Sequence, residues 1–159
     1  MAVNREKIKR TLSAGRETAL AAFSAIQDDE WEQQSGNPDW LVIDNLAHLA
    51  VNNNELCNMV ERSVRGEAPF DPTLDLDRWN ASQIRKQRGR SVPDLLAQFE
   101  QAHERAAALV DQFSDEQLEL HTSHPLYLDI SVGNLLRVVG LHDQIHAPDI
   151  RVVRTEQTV

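Results

Sequence analysis

The residues with the most evident chemical potential lie in "GLHDQIHAPDI", residues 140–150, where His142 and His146 stand four apart. On a helix, side chains at that spacing leave one side a single turn apart, so both imidazoles can face one ion. The spacing alone is a weak sign, because six histidines in 159 residues give roughly 0.2 such pairs by chance. Their position around the helix says more. At about 100° per residue, His146 falls about 40° from His142, amid Leu135, Val138, Val139 and Val153, with Arg137, Gln144 and Arg151 on the far side. Imidazoles in the middle of an apolar arc need partners, since a buried polar group left unpaired costs about 1–3 kcal/mol. Backbone groups or water would serve a pair of core histidines, and a metal ion would serve them equally.

A third candidate ligand, His48, lies in "WLVIDNLAHLA", about 100° around its helix from the centre of the apolar stripe and so at the boundary of core and solvent. Asp44, Asn52 and Glu55 run beside it, either as the mouth of a pocket or as a solvated face. Cys57 follows nine positions on and faces the opposite side of the helix, which excludes it from the site. His103 sits beside an apolar seam, and His121 and His124 fall in the loop "LHTSHP", where packing or surface roles suffice. Asp149 shares the face of His142 and would either orient a ligand imidazole or pair with Arg151 or Arg154. The basic group Arg85, Lys86, Arg88 and Arg90 would hold an anionic substrate if it folded over the site; otherwise it is a solvated face.

Helices must position these residues. Residues 4–27 place Ile8, Leu12, Gly15, Ala19, Phe23 and Ile26 at alternating spacings of three and four, behind a capping Asn4. The acidic "DDEWEQQSGNPD" breaks the pattern. A second helix over 40–65 carries Val42, Leu46, Leu49, Leu56, Val60 and Val64 on one side and ends at Gly66. A third runs over 91–113, with Ser91 as cap, Pro93 in the first turn, and Leu95, Phe99, Ala102, Ala106, Leu109 and Phe113 as its seam. The fourth starts at Ser131 and continues through the histidine pair to residue 153, with a kink, or a break and restart, expected at Pro148. Between the second and third lie about 25 residues, enough to cross a bundle, with a short helix over "DRWNASQIRKQ". The expected fold is all-α, a single domain over 1–159, with its second and third helices parallel. Trp79 and Asn80 on the crossover are expected to wall the cleft beside His48.

Composition narrows the function classes. A net charge of −9 argues against binding nucleic acid or an anionic membrane. The charged start "MAVNREKIKR" lacks the hydrophobic run of a secretory signal, no stretch has the length of a membrane span, and there is one cysteine. A cytoplasmic protein is expected.

"DNLAHLA", "RWN", "RGRSVPDLL" and especially "HDQIHAPDIR" resemble the DinB/YfiT-like superfamily, most of all its mycothiol-dependent maleylpyruvate isomerase-like branch. The likeness extends in order over nearly the whole chain, including "DDEW" and Trp40. It implies a four-helix bundle running up-down-down-up and a divalent metal held by His48, His142 and His146. Two departures stand out. The isomerases typically carry Glu where His142 stands, and Leu41 occupies the place of a usual capping Ser or Thr. Three imidazoles with coordination positions left open form the pattern of a catalytic site, suited to Zn²⁺ and also to Ni²⁺. The resemblance implies a metal-dependent thiol S-transferase or isomerase, using a low-molecular-weight thiol against a small electrophile, and a homodimer. The alternative is a non-catalytic metal-containing stress or binding protein on the same scaffold.

Overall fold

The computed structural model describes residues 3–154. Its long helices are α1 (Arg5–Ser24), α2 (Val42–Val64), α4 (Val92–Gln112) and α6 (Val132–His146). A shorter α3 (Leu76–Gln87) lies on the crossover between α2 and α4. The segment between α4 and α6 holds α5 (Asp115–Glu119) and the strands β1 (His121–His124) and β2 (Tyr127–Ser131). No described helix is long and apolar enough to cross a membrane.

Local chemistry sets the helix starts. Asn4, Ser91 and Ser131 each accept a hydrogen bond from a backbone N–H in the first turn of α1, α4 and α6. These bonds satisfy donors that a helix start otherwise leaves unpaired. At α2 the residue before the helix is Leu41, which has no capping group. Its own N–H donates to the Asp44 carboxylate at 2.9 Å instead. Asp44 is therefore buried beneath the helix start rather than part of a solvated face.

The helix directions follow from the contacts. Arg105 on α4 reaches Asn54 and Glu61 on α2, and Leu46 packs with Leu95 and Phe99 at the opposite end, so α2 and α4 are parallel. Arg16 meets Glu100, and Arg5 meets the Val110 carbonyl, so α1 is antiparallel to α4. Between α1 and α6, Arg137 bonds Thr11, Gly133 faces Ile8 and Gly140 faces Thr11, which makes that pair parallel. The result is the up-down-down-up bundle expected from the sequence. At the α1–α6 crossing the backbones touch: a Cβ on Gly140 would lie 2.2 Å from the Thr11 carbonyl oxygen.

The core has two apolar parts. Phe23, Trp31, Leu46, Leu49, Leu95 and Phe99 fill one end, and Leu12, Leu56, Val60, Leu109, Leu135 and Leu136 the other. Buried Asn53, His103 and Asp143 occupy the helix positions between them. The bundle thus holds a polar layer across its middle.

Two expectations need correction. "LHTSHP" is not a simple loop, because β1 and β2 pair antiparallel with His121 opposite Ser131 and His124 opposite Tyr127. These strands are short and largely exposed, so they lack the alternating apolar pattern by which a strand is read. The fourth helix does not run to residue 153. It ends at His146 in a 3₁₀ turn over Ala147–Asp149, and the chain leaves extended, with Val152 bridged to Ser35. Pro148 removes a backbone donor and the continuing helix with it, without an α-helical restart.

Candidate metal centre

His48 comes from the middle of α2, while His142 and His146 occupy the last turns of α6. The antiparallel run of these helices brings together residues far apart in sequence. The Nε2 atoms of His48 and His142 are 3.0 Å apart. Each of the three rings offers one nitrogen, and these nitrogens all lie within 4.8 Å of one another. Two donors about 2.0–2.1 Å from a shared ion, at angles between octahedral and tetrahedral, are about 2.9–3.4 Å apart. The His48–His142 pair already has that separation.

The rings are held neutral, as coordination requires. Burial, seconded by the neighbouring His146 imidazole, pushes His48 down to about 3. Burial also drives His142 well below the usual histidine range, and the other imidazoles add to the effect. His146 is lowered by burial too, with Asp149 and Asp143 opposing. Three uncharged imidazoles with their lone pairs directed together, and with no carboxylate among them, form a borderline-soft donor set that fits a divalent transition ion.

Behind His142 stands the polar layer. Asn53 presents its side-chain oxygen to His142 Nδ1 at 3.4 Å. The same Asn53 donates its amide N–H to Asp143 at 2.7 Å, and His103 Nε2 donates to the other oxygen of that carboxylate at 2.5 Å. Asp143 and Asn53 are fully buried and His103 nearly so. A proton on Nδ1 of His142 would reach Asn53 and leave the lone pair on Nε2, the atom that faces His48 and lies 3.1 Å from the Asn52 amide. An outer partner that fixes a tautomer in this way is the usual accompaniment of a metal-bound histidine.

The rings open onto a cavity of about 700 Å³. Its walls include Trp40, Asn52, Leu56, Leu76, Asn80, His124, Tyr127, Val138 and Leu141. Trp40 packs on His48 with ring centroids 4.6 Å apart and stacks on His146 at 5.8 Å. His124 points Nδ1 at the backbone N–H of Leu126, and burial lowers its pKa.

Several sequence expectations change here. His48 is not at the solvent boundary but 5 % exposed, because Trp40 and the α6 rings cover it. Asn52 lines the cavity with its amide 3.1 Å from His142 Nε2, whereas Glu55 pairs with Arg62. Asn80 walls the cavity as expected, but Trp79 lines a separate depression with Gln83 and Gln87. Among the described residues Asp149 makes neither an ion pair nor a side-chain bond to any of the three rings; its carbonyl accepts from Gly36. None of Arg85, Lys86, Arg88 and Arg90 lines the cavity; Arg88 and Arg90 border a depression beside Glu32 and Asp44. Cys57 is buried against α4, and burial pushes its thiol up to about 12, in keeping with its exclusion.

Sequence reasoning missed His103, Asn53 and Asp143 as a unit, and His124 as a cavity residue. The one available sign was Asp143, a carboxylate between two histidines on an otherwise apolar arc.

Solved structures share this architecture. The mycothiol-dependent maleylpyruvate isomerase superposes with a TM-score of 0.80 at 18 % identity, over 96 % of this chain and 62 % of the isomerase. The chain thus spans less than two thirds of that protein. YfiT from Bacillus subtilis, described as a probable metal-dependent hydrolase with an unusual four-helix bundle topology, superposes with a TM-score of 0.73. It is 21 % identical, over 92 % of this chain and 83 % of YfiT. A relative from Oceanobacillus iheyensis, named as a putative metal-dependent hydrolase, is 20 % identical over 81 % of this chain and 73 % of its own length. At these identities the likeness to solved structures speaks for the fold. The sequence profile of the DinB superfamily matches residues 11–150, and the chain belongs to that superfamily.

Proposed function

We propose that His48, His142 and His146 hold a divalent transition metal, zinc foremost and nickel next, and that the protein is a metal-dependent thiol S-transferase or isomerase. The observation that carries this reading is the convergence of three neutral imidazoles at the floor of an open cavity. An ion held there would supply a Lewis acid and lower the pKa of a coordinated thiol or water.

The chain's own residues divide the remaining work. Asn53, fixed by Asp143 and His103, orients His142. Leu56, Val138 and Leu141 line the cavity and exclude water from the reacting groups. Asn52 directs its amide N–H at the edge of His142. Cys57 cannot be the nucleophile, being buried elsewhere with a raised pKa. The thiol must therefore enter from solution, which is the reason to favour a low-molecular-weight thiol as co-substrate.

A hydrolytic reading has in its favour that two similar proteins are described as metal-dependent hydrolases. Close to the rings, however, the buried groups that could take a proton from water are engaged. The carboxylate nearest the rings in sequence, Asp143, is engaged by Asn53 and His103, and His124 Nδ1 is occupied by the Leu126 N–H. A thiol, which loses its proton to solvent far more readily than water does, depends less on a neighbouring base.

The test is consumption of small thiols, including mycothiol, with 1-chloro-2,4-dinitrobenzene as electrophile. Turnover that requires added metal and disappears in His146→Ala is expected. A protein that binds metal yet consumes no thiol across a broad electrophile panel would be the non-catalytic binding or stress protein instead.

A further inference from the structure

The cavity above the histidines has a one-sided charge. Its walls contain two carboxylates, Asp39 and Asp77, and no lysine or arginine. Neither carboxylate makes an ion pair among the described residues. Both are exposed, which places them toward solvent while His48 lies buried. The aromatic rings of Trp40 and Tyr127 line the same space. The Asn80 side-chain oxygen, another wall residue, is buried and without a hydrogen-bond partner among the described residues. The one basic group that could have held an anion, residues 85–90, lies away from the cavity.

We infer that this cavity takes a substrate with an apolar body and a cationic end of ammonium type, and discriminates against carboxylates such as maleylpyruvate. The reacting end sits at the histidines, against Leu56, Val138 and Leu141. The cationic end lies toward the solvent side, near Asp39 and Asp77 and beside the exposed ring of Tyr127, whose π-face attracts a weakly hydrated ammonium. A carboxylate at the same place meets two like charges and no compensating cation. The isomerase that shares this fold acts on a dicarboxylate by name, so the inference separates the two cavities by substrate class. It rests on the proposed metal reading only in placing the reacting end.

The test uses the full chain, metal-free and zinc-loaded, with benzyltrimethylammonium, benzyl alcohol and phenylacetate as probes. These share a ring and differ in charge. Binding is followed through the backbone amide shifts of Leu126, Tyr127 and Leu141. In the metal-free chain the ammonium should bind about tenfold more tightly than the carboxylate at low ionic strength, with the alcohol between. In both forms the double variant Asp39→Asn, Asp77→Asn should shift the ammonium-to-carboxylate ratio about tenfold toward the carboxylate. Asp39→Asn alone, in a turn outside every helix, should move it the same way and guards against an effect on the start of α3. A metal-free chain that prefers phenylacetate, or a ratio that the substitutions leave unmoved, overturns the inference. Failure of zinc to load would instead count against the metal reading, and the metal-free titration would still decide the charge preference.

Discussion

Replacing Gly140 by alanine tests the packing that sets the angle of α6 and with it His142. A Cβ there would lie 2.2 Å from the Thr11 carbonyl oxygen, 2.6 Å from its carbon and 2.9 Å from the Leu12 Cα. All three are backbone atoms of α1, so no rotamer change relieves the clash. Ordinary carbon contacts begin near about 3.5 Å, and the helices must therefore part by about 1 Å. Such a gap forfeits a quarter to a half of the dispersion energy of the contacts it opens. Overpacking of this kind costs about 1–3 kcal/mol and sometimes more, against a gain of about 1 kcal/mol from replacing a helical glycine. A net loss of about 1 kcal/mol follows, or roughly 2–4 °C in the melting temperature of a domain this size. Thermal and urea unfolding followed by circular dichroism measure it. Because His142 lies two residues beyond Gly140, metal affinity should fall in the folded variant as well. A Gly140→Ala protein as stable as the parent, or more so, would refute the close approach of α1 and α6.

Asp143→Ala should destabilise the protein by about 2–4 kcal/mol, since it leaves His103 and Asn53 buried without their partner. Combined with His103→Ala, the loss should be clearly less than additive in urea unfolding. Cys57 should resist aromatic disulfide reagents in the native protein and react fully only on denaturation, because its thiol is buried and held near 12. The same shift makes stability fall at high pH: above its ordinary value of 9.0 the unfolded chain loses the thiol proton while the folded chain keeps it, up to about 12. Cys57→Ala should flatten that part of the stability–pH profile. Trp40→Phe should leave the fold intact and change ligand affinity at the cavity, as judged by parallel melting curves and titrations.

The helices were legible because their seams repeat at three and four residues, and Ile8, Leu12, Leu46, Phe99 and Leu109 are all buried as that pattern requires. The three histidines could be named because a helix turn relates two of them and a family resemblance supplied the third. What could not be read depends on contacts between helices. The depth of His48 is set by Trp40 and the α6 rings, which no helical wheel of α2 contains. Asn53, His103 and Asp143 form one network only after α2, α4 and α6 are assembled, with partners 40 and 90 residues apart. Arg85 to Arg90 left two readings open, because the position of a charge run relative to a cavity is invisible until the crossover is placed.

The central claim is that His48, His142 and His146 bind one metal ion, and elemental analysis of untagged protein tests it most directly. The native chain, and His103→Ala if it folds, should carry about one divalent transition ion per molecule after dialysis. His48→Ala, His142→Ala and His146→Ala should each carry almost none, with helix content by circular dichroism nearly unchanged because the two apolar parts of the core remain. Undiminished metal in any of the three ligand variants would contradict the account, and unfolding of His146→Ala would show that the ion serves structure rather than chemistry.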